Sequence, residues 1–253
     1  MYTEEQYNEL EQLQHELTVE EFALILALLT SATLDINIDI VTLYNKYGTD
    51  GVVNYINSRK RVSKKDKRKR VNKLFSQIDD AFETYRQDAE IGIKAVLVKM
   101  IKTETDFYGI KLDVDELLNI KWGNDKLNWK TRLNNQVNQQ SLKVKNRLKV
   151  AFIRGDSIDD LIDDLEIEYK KFERQLWSLY ETEANAITSE ARYRALKKKG
   201  FKKYRYYARM DERTCSVCGA MHNTKFPMSS FQIGVTAPPM HPHCRCWITE
   251  LSG

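Results

Sequence analysis

Proline is missing from the first 226 residues; Pro227, Pro238, Pro239 and Pro242 all fall in the last 27. Proline breaks helix interiors, so its absence permits long helices and its crowding marks a change of architecture. No apolar run approaches the ~20 residues needed to span a bilayer. The longest, FALILALLTSA at 22–32, reads as a buried helix. There is no GxSxG, no Walker-type loop and no GxGxxG, so hydrolase, ATPase and dinucleotide-binding readings lack a starting point. No internal repeat recurs at a fixed period. The N-terminus, MYTEEQYNEL, lacks the basic-then-apolar layout of a secretory signal. A chain folded in a reducing cytoplasm is expected, where clustered cysteines point to metal rather than disulfide.

What the chain has is charge, sharply segregated. Residues 1–57 carry ten acids and one base, Lys46. Residues 58–70 carry nine bases and one acid, and residues 192–209 nine bases and no acid. The pattern predicts one acidic and two basic contact surfaces, although a single basic run is as readily a solvated helix face.

Helical periodicity dominates the first two hundred residues. Thr18 with Glu21 makes a capping-box pattern opening a helix over about 19–32. A second stretch covers about 38–57, interrupted near Gly48 and Gly51. A long helix over about 66–103 sets Leu74, Phe75, Ile78, Phe82 and Tyr85 at core spacing. The pattern breaks over 104–123, resumes over 125–153 and should end at Gly155. Asp156 or Ser157 then caps a helix whose stripe runs from Ile158 and Leu161 to Leu196, closed by Gly200. KYRYYARM at 203–210 reads as a strand, 211–214 as a turn and CRCWITEL as a final strand. The fold expected is mainly α (α+β), an elongated helical body with a small C-terminal zinc-stapled β module. Its regions are 1–57 (acidic, helical), 58–119 (basic run and long helix), 120–200 (helical) and 201–253 (the Cys/His module).

All four cysteines fall in two clusters in that last region. Cys215 and Cys218 form a CxxC, a spacing that lets one turn offer two thiolates to a tetrahedral ion. Cys244 and Cys246, two apart, would share one face of a strand. His241 stands three before Cys244; His222 is a weaker candidate. The donor types suit structural zinc, and a loop-rich module with little core needs a staple. The favoured set is Cys215, Cys218 and Cys246 with either His241 or Cys244. A competing nuclease-like reading would use Asp211 with His241 or His243 as base and magnesium ligand. His243 otherwise reads as an exposed loop residue.

The order "tyrosine-rich strand, DERTCSVCGAMHNTKFP, spacer, APPMHPHCRCWI" resembles the C-terminal signature of the phage minor head protein family, the head-morphogenesis proteins similar to protein F of phage Mu. Asp211, Arg213, Thr214, Cys215, Cys218, Lys225, Phe226, Pro238, Pro239, His241, Pro242, Cys244, Arg245 and Cys246 stand at the matching places. ETEANAITSEARYRALKKKG resembles that family's preceding helix, with Glu181 where the family often has Arg. The resemblance implies a minor capsid protein of a tailed bacteriophage, with no enzymatic activity. It would be assembled in the host cytoplasm and reside in the virion, in the capsid interior or at the portal vertex. It would act in capsid assembly, DNA packaging or DNA ejection. Implied partners are the portal protein, the major capsid or scaffolding protein and genomic double-stranded DNA, and no membrane. The same module occurs fused to toxin domains, for which 253 residues leave no obvious room. A protein facing packaged DNA has reason to touch phosphates without reading bases. The candidates are Arg59, Lys60, Arg61, Lys64, Lys65, Lys67, Arg68, Lys69, Arg70, Lys197, Lys198, Lys199, Lys202, Lys203 and Arg205. Tyr204, Tyr206 and Tyr207, interleaved with them, read as strand core before stacking platforms.

Overall fold

The computed structural model describes residues 2–47 and 64–251. The elements in order are α1 (Glu4–Tyr47), α2 (Lys64–Tyr108), α3 (Val114–Leu118), α4 (Trp129–Arg154), α5 (Ile158–Lys198), β1 (Lys203–Tyr207), α6 (Ser216–Met221), β2 (Lys225–Pro227), a 3₁₀ turn (Met228–Ser230) and β3 (Trp247–Leu251). The chain is thus mainly helical, with one small sheet near its C-terminal end, as its sequence leads one to expect.

Two expectations for the first helices need correction. The capping-box pattern does not open a helix, because α1 begins fifteen residues earlier. Thr18 sits mid-helix and its hydroxyl donates to the Gln14 carbonyl at 2.7 Å, the i−4 bond open to an interior threonine. Nor does a helix restart at 38; α1 runs unbroken to Tyr47, and residues 48–57 lie outside the described residues. The early start has its own capping box: Thr3 Oγ1 accepts from the Gln6 amide at 3.2 Å and Gln6 Oε1 from the Thr3 amide at 2.8 Å, and buried Tyr7 and Leu10 anchor the turn that follows.

The later helices end where local signals say they should. Ser157 Oγ accepts from the Asp160 amide at 3.1 Å, capping α5. Gly155 (φ 83°) and Gly200 (φ 86°) take the left-handed conformation that closes α4 and α5. α4 starts four residues later than its pattern suggests. A turn through Gly123 and Lys126 holds the chain back, and Asn128 Oδ1 caps the helix through the Thr131 amide at 2.9 Å.

The contacts divide the chain into two compact units. One comprises residues 24–90 and 133–176. Ile25, Leu29, Ile36 and Ile40 of α1, Leu74, Ile78, Phe82 and Tyr85 of α2, Val144 and Leu148 of α4, and Leu161, Leu165 and Phe172 of α5 form its buried interior. Phe172 meets Phe82 and Tyr85 edge-on at 6.4 and 6.3 Å. Phe75 is only half-buried, with the Lys149 ammonium 5.3 Å over its ring.

The other unit comprises residues 1–23, 91–132 and 177–253. Its antiparallel sheet has the order β2-β1-β3. Tyr204 pairs with Phe226 on one side and Glu250 on the other, and Tyr206 with Ile248. Tyr204 and Tyr206 are fully buried, which places them in the core as expected. Tyr204, Trp247 and Ile248 pack with Ala195 and Leu196 of α5, Tyr7 of α1 and Tyr108 of α2. β1 ends at Tyr207 rather than 210, and β3 begins at Trp247, so Cys244 and Cys246 precede the strand instead of lying in it. Short α6 and β2 leave no clear mark in the sequence: each is held by turn chemistry and sheet pairing, which carry little periodicity.

Candidate metal centre

The turn over 211–214 prepares the first pair of thiols. Asp211 Oδ1 accepts from the Arg213 amide at 2.9 Å, and Thr214 Oγ1 accepts from the Asp211 amide at 2.8 Å. Both Asp211 oxygens also take the Arg245 guanidinium, each at 2.6 Å, tying this turn to the second cysteine cluster. That bidentate pair holds the Asp211 carboxyl well below its usual range. Cys215 then occupies the N-cap of α6, with its sulfur accepting from the Cys218 amide at 3.3 Å. The amide lowers the Cys215 thiol pKa, as an N-terminal helix position does. Cys218 lies one turn on and is buried.

The second cluster arrives on a tight turn. The Cys244 amide donates to the His241 carbonyl at 3.2 Å, and His243 between them takes a left-handed φ of 59°. Asn185 of α5 donates its side-chain amide to the Cys244 carbonyl at 2.5 Å and the Cys246 carbonyl at 3.2 Å. One helical side chain thereby fixes the loop that carries both thiols.

The donors meet. His241 Nε2 lies 3.1 Å from Cys215 Sγ and 3.3 Å from Cys218 Sγ. Cys218 Sγ lies 3.8 Å from Cys244 Sγ. Two groups, Cys215–Cys218–His241 and Cys218–Cys244–Cys246, each keep their ligand atoms within 4.8 Å of one another and share Cys218. Tetrahedral zinc with Zn–S bonds of about 2.3 Å spaces its sulfurs about 3.8 Å apart and its sulfur and nitrogen about 3.5 Å apart. The cluster therefore fits such an ion and could hold one. His241 Nδ1 sits 2.8 Å from the Pro242 carbonyl, an outer-shell bond that leaves Nε2 as the electron pair facing the thiols. Burial lowers the His241 pKa, but the Pro242 carbonyl and the Cys244 and Cys215 thiolates outweigh it and the net shift is upward. Burial pushes the Cys218 thiol up to about 12, while a bond from Cys246 brings Cys244 down to about 5.

Around this cluster lie residues whose contacts with it the sequence did not foretell. The buried Tyr206 hydroxyl donates to Cys218 Sγ at 3.3 Å. Glu181 faces His243 Nδ1 at 2.5 Å, so the acid at the family's frequent Arg position has a partner in the loop. The alternation of β1 marks Tyr206 as inward, but only the folded chain brings it onto a cysteine. His222 stands apart from the cluster: its Nδ1 accepts from the Ala208 amide at 3.2 Å, and its ring meets Tyr207 edge-on. Of the side chains in the nuclease-like reading, Asp211 pairs with Arg245, His243 with Glu181, and His241 faces the Cys215 and Cys218 thiols.

The basic candidates are placed unevenly. Arg59, Lys60 and Arg61 lie outside the described residues. Lys64, Lys65, Lys67, Arg68 and Arg70 belong to the first turns of α2, where only the Lys69 side chain is described, as exposed. Lys197, Lys198, Lys199, Lys202 and Lys203 are exposed and Arg205 half-buried. The 192–209 run is not one surface, because Arg192 points into the core and Arg194 pairs with Glu190 and Glu116.

Residues 142–249, under half of the chain, match the family described as Phage Mu protein F like protein. The match takes in the second half of α4, all of α5, the sheet up to residue 249 and every donor of the cluster. No curated protein and no solved structure matches the chain.

Proposed function

We propose that this phage Mu protein F-like chain, a phage head-related protein by that match, is a minor capsid protein at the portal vertex. There it acts in capsid assembly, packaging or delivery of the genome. The observation that carries the proposal is that the matched segment contains all five donors, together with α5 and most of the sheet that packs on it. Zinc is the ion this thiolate-rich set would take; in place of the set favoured from sequence, which included Cys246, we assign Cys215, Cys218, His241 and Cys244, with Cys246 hydrogen-bonded to Cys244 beside them. A closed four-donor site leaves no place for a reacting water, so the ion staples the module and no catalysis is assigned. The acidic N-terminal region suits docking on a protein such as the portal.

Density-purified virions test the reading. The protein should be found in them at few copies per particle, and should remain with the portal when heads are disrupted. Recovery only from the soluble lysate would overturn it.

Exposed Lys197 to Lys199, Lys202 and Lys203 would touch duplex phosphates without reading bases. Retention on DNA should fall steeply with salt and be indifferent to sequence. Replacing Lys198 and Lys202 by Glu should flatten the log–log salt slope by about one for each phosphate no longer neutralised. Sequence-dependent or salt-insensitive retention would count against this surface.

A further inference from the structure

The second half of α1 carries a feature that neither the metal centre nor the family match uses. Its inward face, Ile25, Leu29, Ile36 and Ile40, is buried. The opposite face is apolar too: Leu24 is 62% exposed, Leu34 57%, Ile38 52% and Val41 36%. With exposed Ala27 and Ser31 they occupy positions 24, 27, 31, 34, 38 and 41, alternating steps of three and four. That is the a/d spacing of a two-helix seam. A helix apolar all round is normally buried all round. Among the described residues, α1 is the one helix long and apolar enough to cross a membrane, yet only 33% of its most apolar window is buried. Its apolar run at 22–32 is therefore buried on one side only.

We propose that this face pairs, antiparallel, with the same face of a second copy of the chain. Side-chain volume sets the direction. Centred between residues 32 and 33, an antiparallel pair puts Ala27 against the second copy's Ile38, Ser31 against its Leu34 and Leu24 against its Val41. Each small residue meets a large one at every level. A parallel pair would stack Ala27 on Ala27 and Ser31 on Ser31, leaving a gap that packed interfaces do not tolerate. Charge agrees. Of the seam and its flanks at 23, 28, 30, 35, 37 and 42, only Asp35 is charged. The antiparallel pair sets it near the second copy's Leu28 and away from the other Asp35. A bilayer is the poorer occupant, because Asp35 and Asp39 would enter it and the surplus of nine acids is repelled by anionic lipid. The stripe is about 26 Å long and one helix wide. It offers less than the roughly 800 Å² per partner of a standard interface, so the pair should be concentration-dependent, about micromolar or weaker.

Sedimentation of the full chain from about 1 to about 200 µM tests the proposal. Monomer should give way to dimer across that range. Leu34→Glu with Ile38→Glu, at positions more than half exposed, should abolish the dimer and leave helical content unchanged. Ala27→Leu with Ser31→Leu discriminates direction: it fills a parallel seam but crowds an antiparallel one, and should weaken the dimer about ten-fold. A monomer throughout the range overturns the proposal, as does a dimer indifferent to the Glu pair or one tightened by the Leu pair. So does a monomer that instead pellets with phosphatidylcholine vesicles.

Discussion

Removing metal from the purified protein should unfold the Cys/His module while the helices of the 24–90 and 133–176 unit persist. The module's strands are short, of five, three and five residues, and the loops that carry the donors lie outside them, so a staple is needed to fix those loops. Structural zinc contributes about 10–16 kcal/mol to small domains that bind it, and there binding and folding are one event. Elemental analysis should therefore find about one zinc per chain, as a single closed four-donor site requires. Cys218→Ser removes the sulfur common to both donor groups. It should cost several kcal/mol and, at roughly 2–4 °C per kcal/mol for a chain of this size, lower Tm by about 10 °C or more. Cys246→Ser should leave the zinc in place and Cys244→Ser should lose it; the reverse outcome would put Cys246 in the donor set instead of Cys244. Because thiols and imidazole must be deprotonated to bind, acidification to about pH 5 should release the ion. A metal-free protein of unchanged Tm would sink the assignment.

Arg192→Met should destabilise the protein by about 3–5 kcal/mol, a loss read by urea denaturation. Arg192 is fully buried, and so is the carboxylate it serves: Glu104 is 0% exposed. Its Nε lies 3.0 Å from Glu104 Oε2, its Nη2 2.7 Å from Glu11 Oε1, and its Nη1 donates to the Ile248 carbonyl at 3.3 Å. Gln14 Nε2 adds a bond to Glu104 at 2.7 Å. Alongside, the Tyr7 hydroxyl meets Tyr108 at 2.8 Å and donates to Glu250, whose other oxygen accepts from the Tyr2 amide at 2.6 Å. Removing the guanidinium strands the buried Glu104 carboxylate and takes the partner from half-buried Glu11. Adding Glu104→Gln to Arg192→Met should recover part of the loss, since the more deeply buried of the two charges goes with it. A single variant as stable as wild type would show that Glu104 is neutral or solvated. This cluster gathers α1, α2, α5 and β3 in one place, so its loss should loosen the sheet that carries the metal donors.

The donor set itself could be read from the chain. Four thiols in two clusters with His241 three before Cys244 are a local pattern, and the folded chain brings all five side chains together. The route to that convergence could not. Strand alternation predicts that Cys244 and Cys246 face one way. In fact they precede β3 and are turned by His243 and held by Asn185, a residue about sixty positions away. Arg192 shows the limit in another form. In sequence it opens a run of nine bases and looks like surface charge. Its burial depends on Glu104 and Glu11, which come from helices far along the chain.

Sequence alone determined what is local in origin. Absent prolines and regular apolar spacing made the helices, serine and glycine set the ends of α4 and α5, and alternation turned Tyr204 and Tyr206 inward. These follow from backbone sterics and from hydrogen bonds between near neighbours. Tertiary structure alone decided which bases are buried and which side chain braces the metal loop. It also decided that Leu24, Leu34 and Ile38 remain uncovered by the described residues. Each of those depends on what a distant segment brings within a few ångströms, and spacing along the chain carries no measure of that.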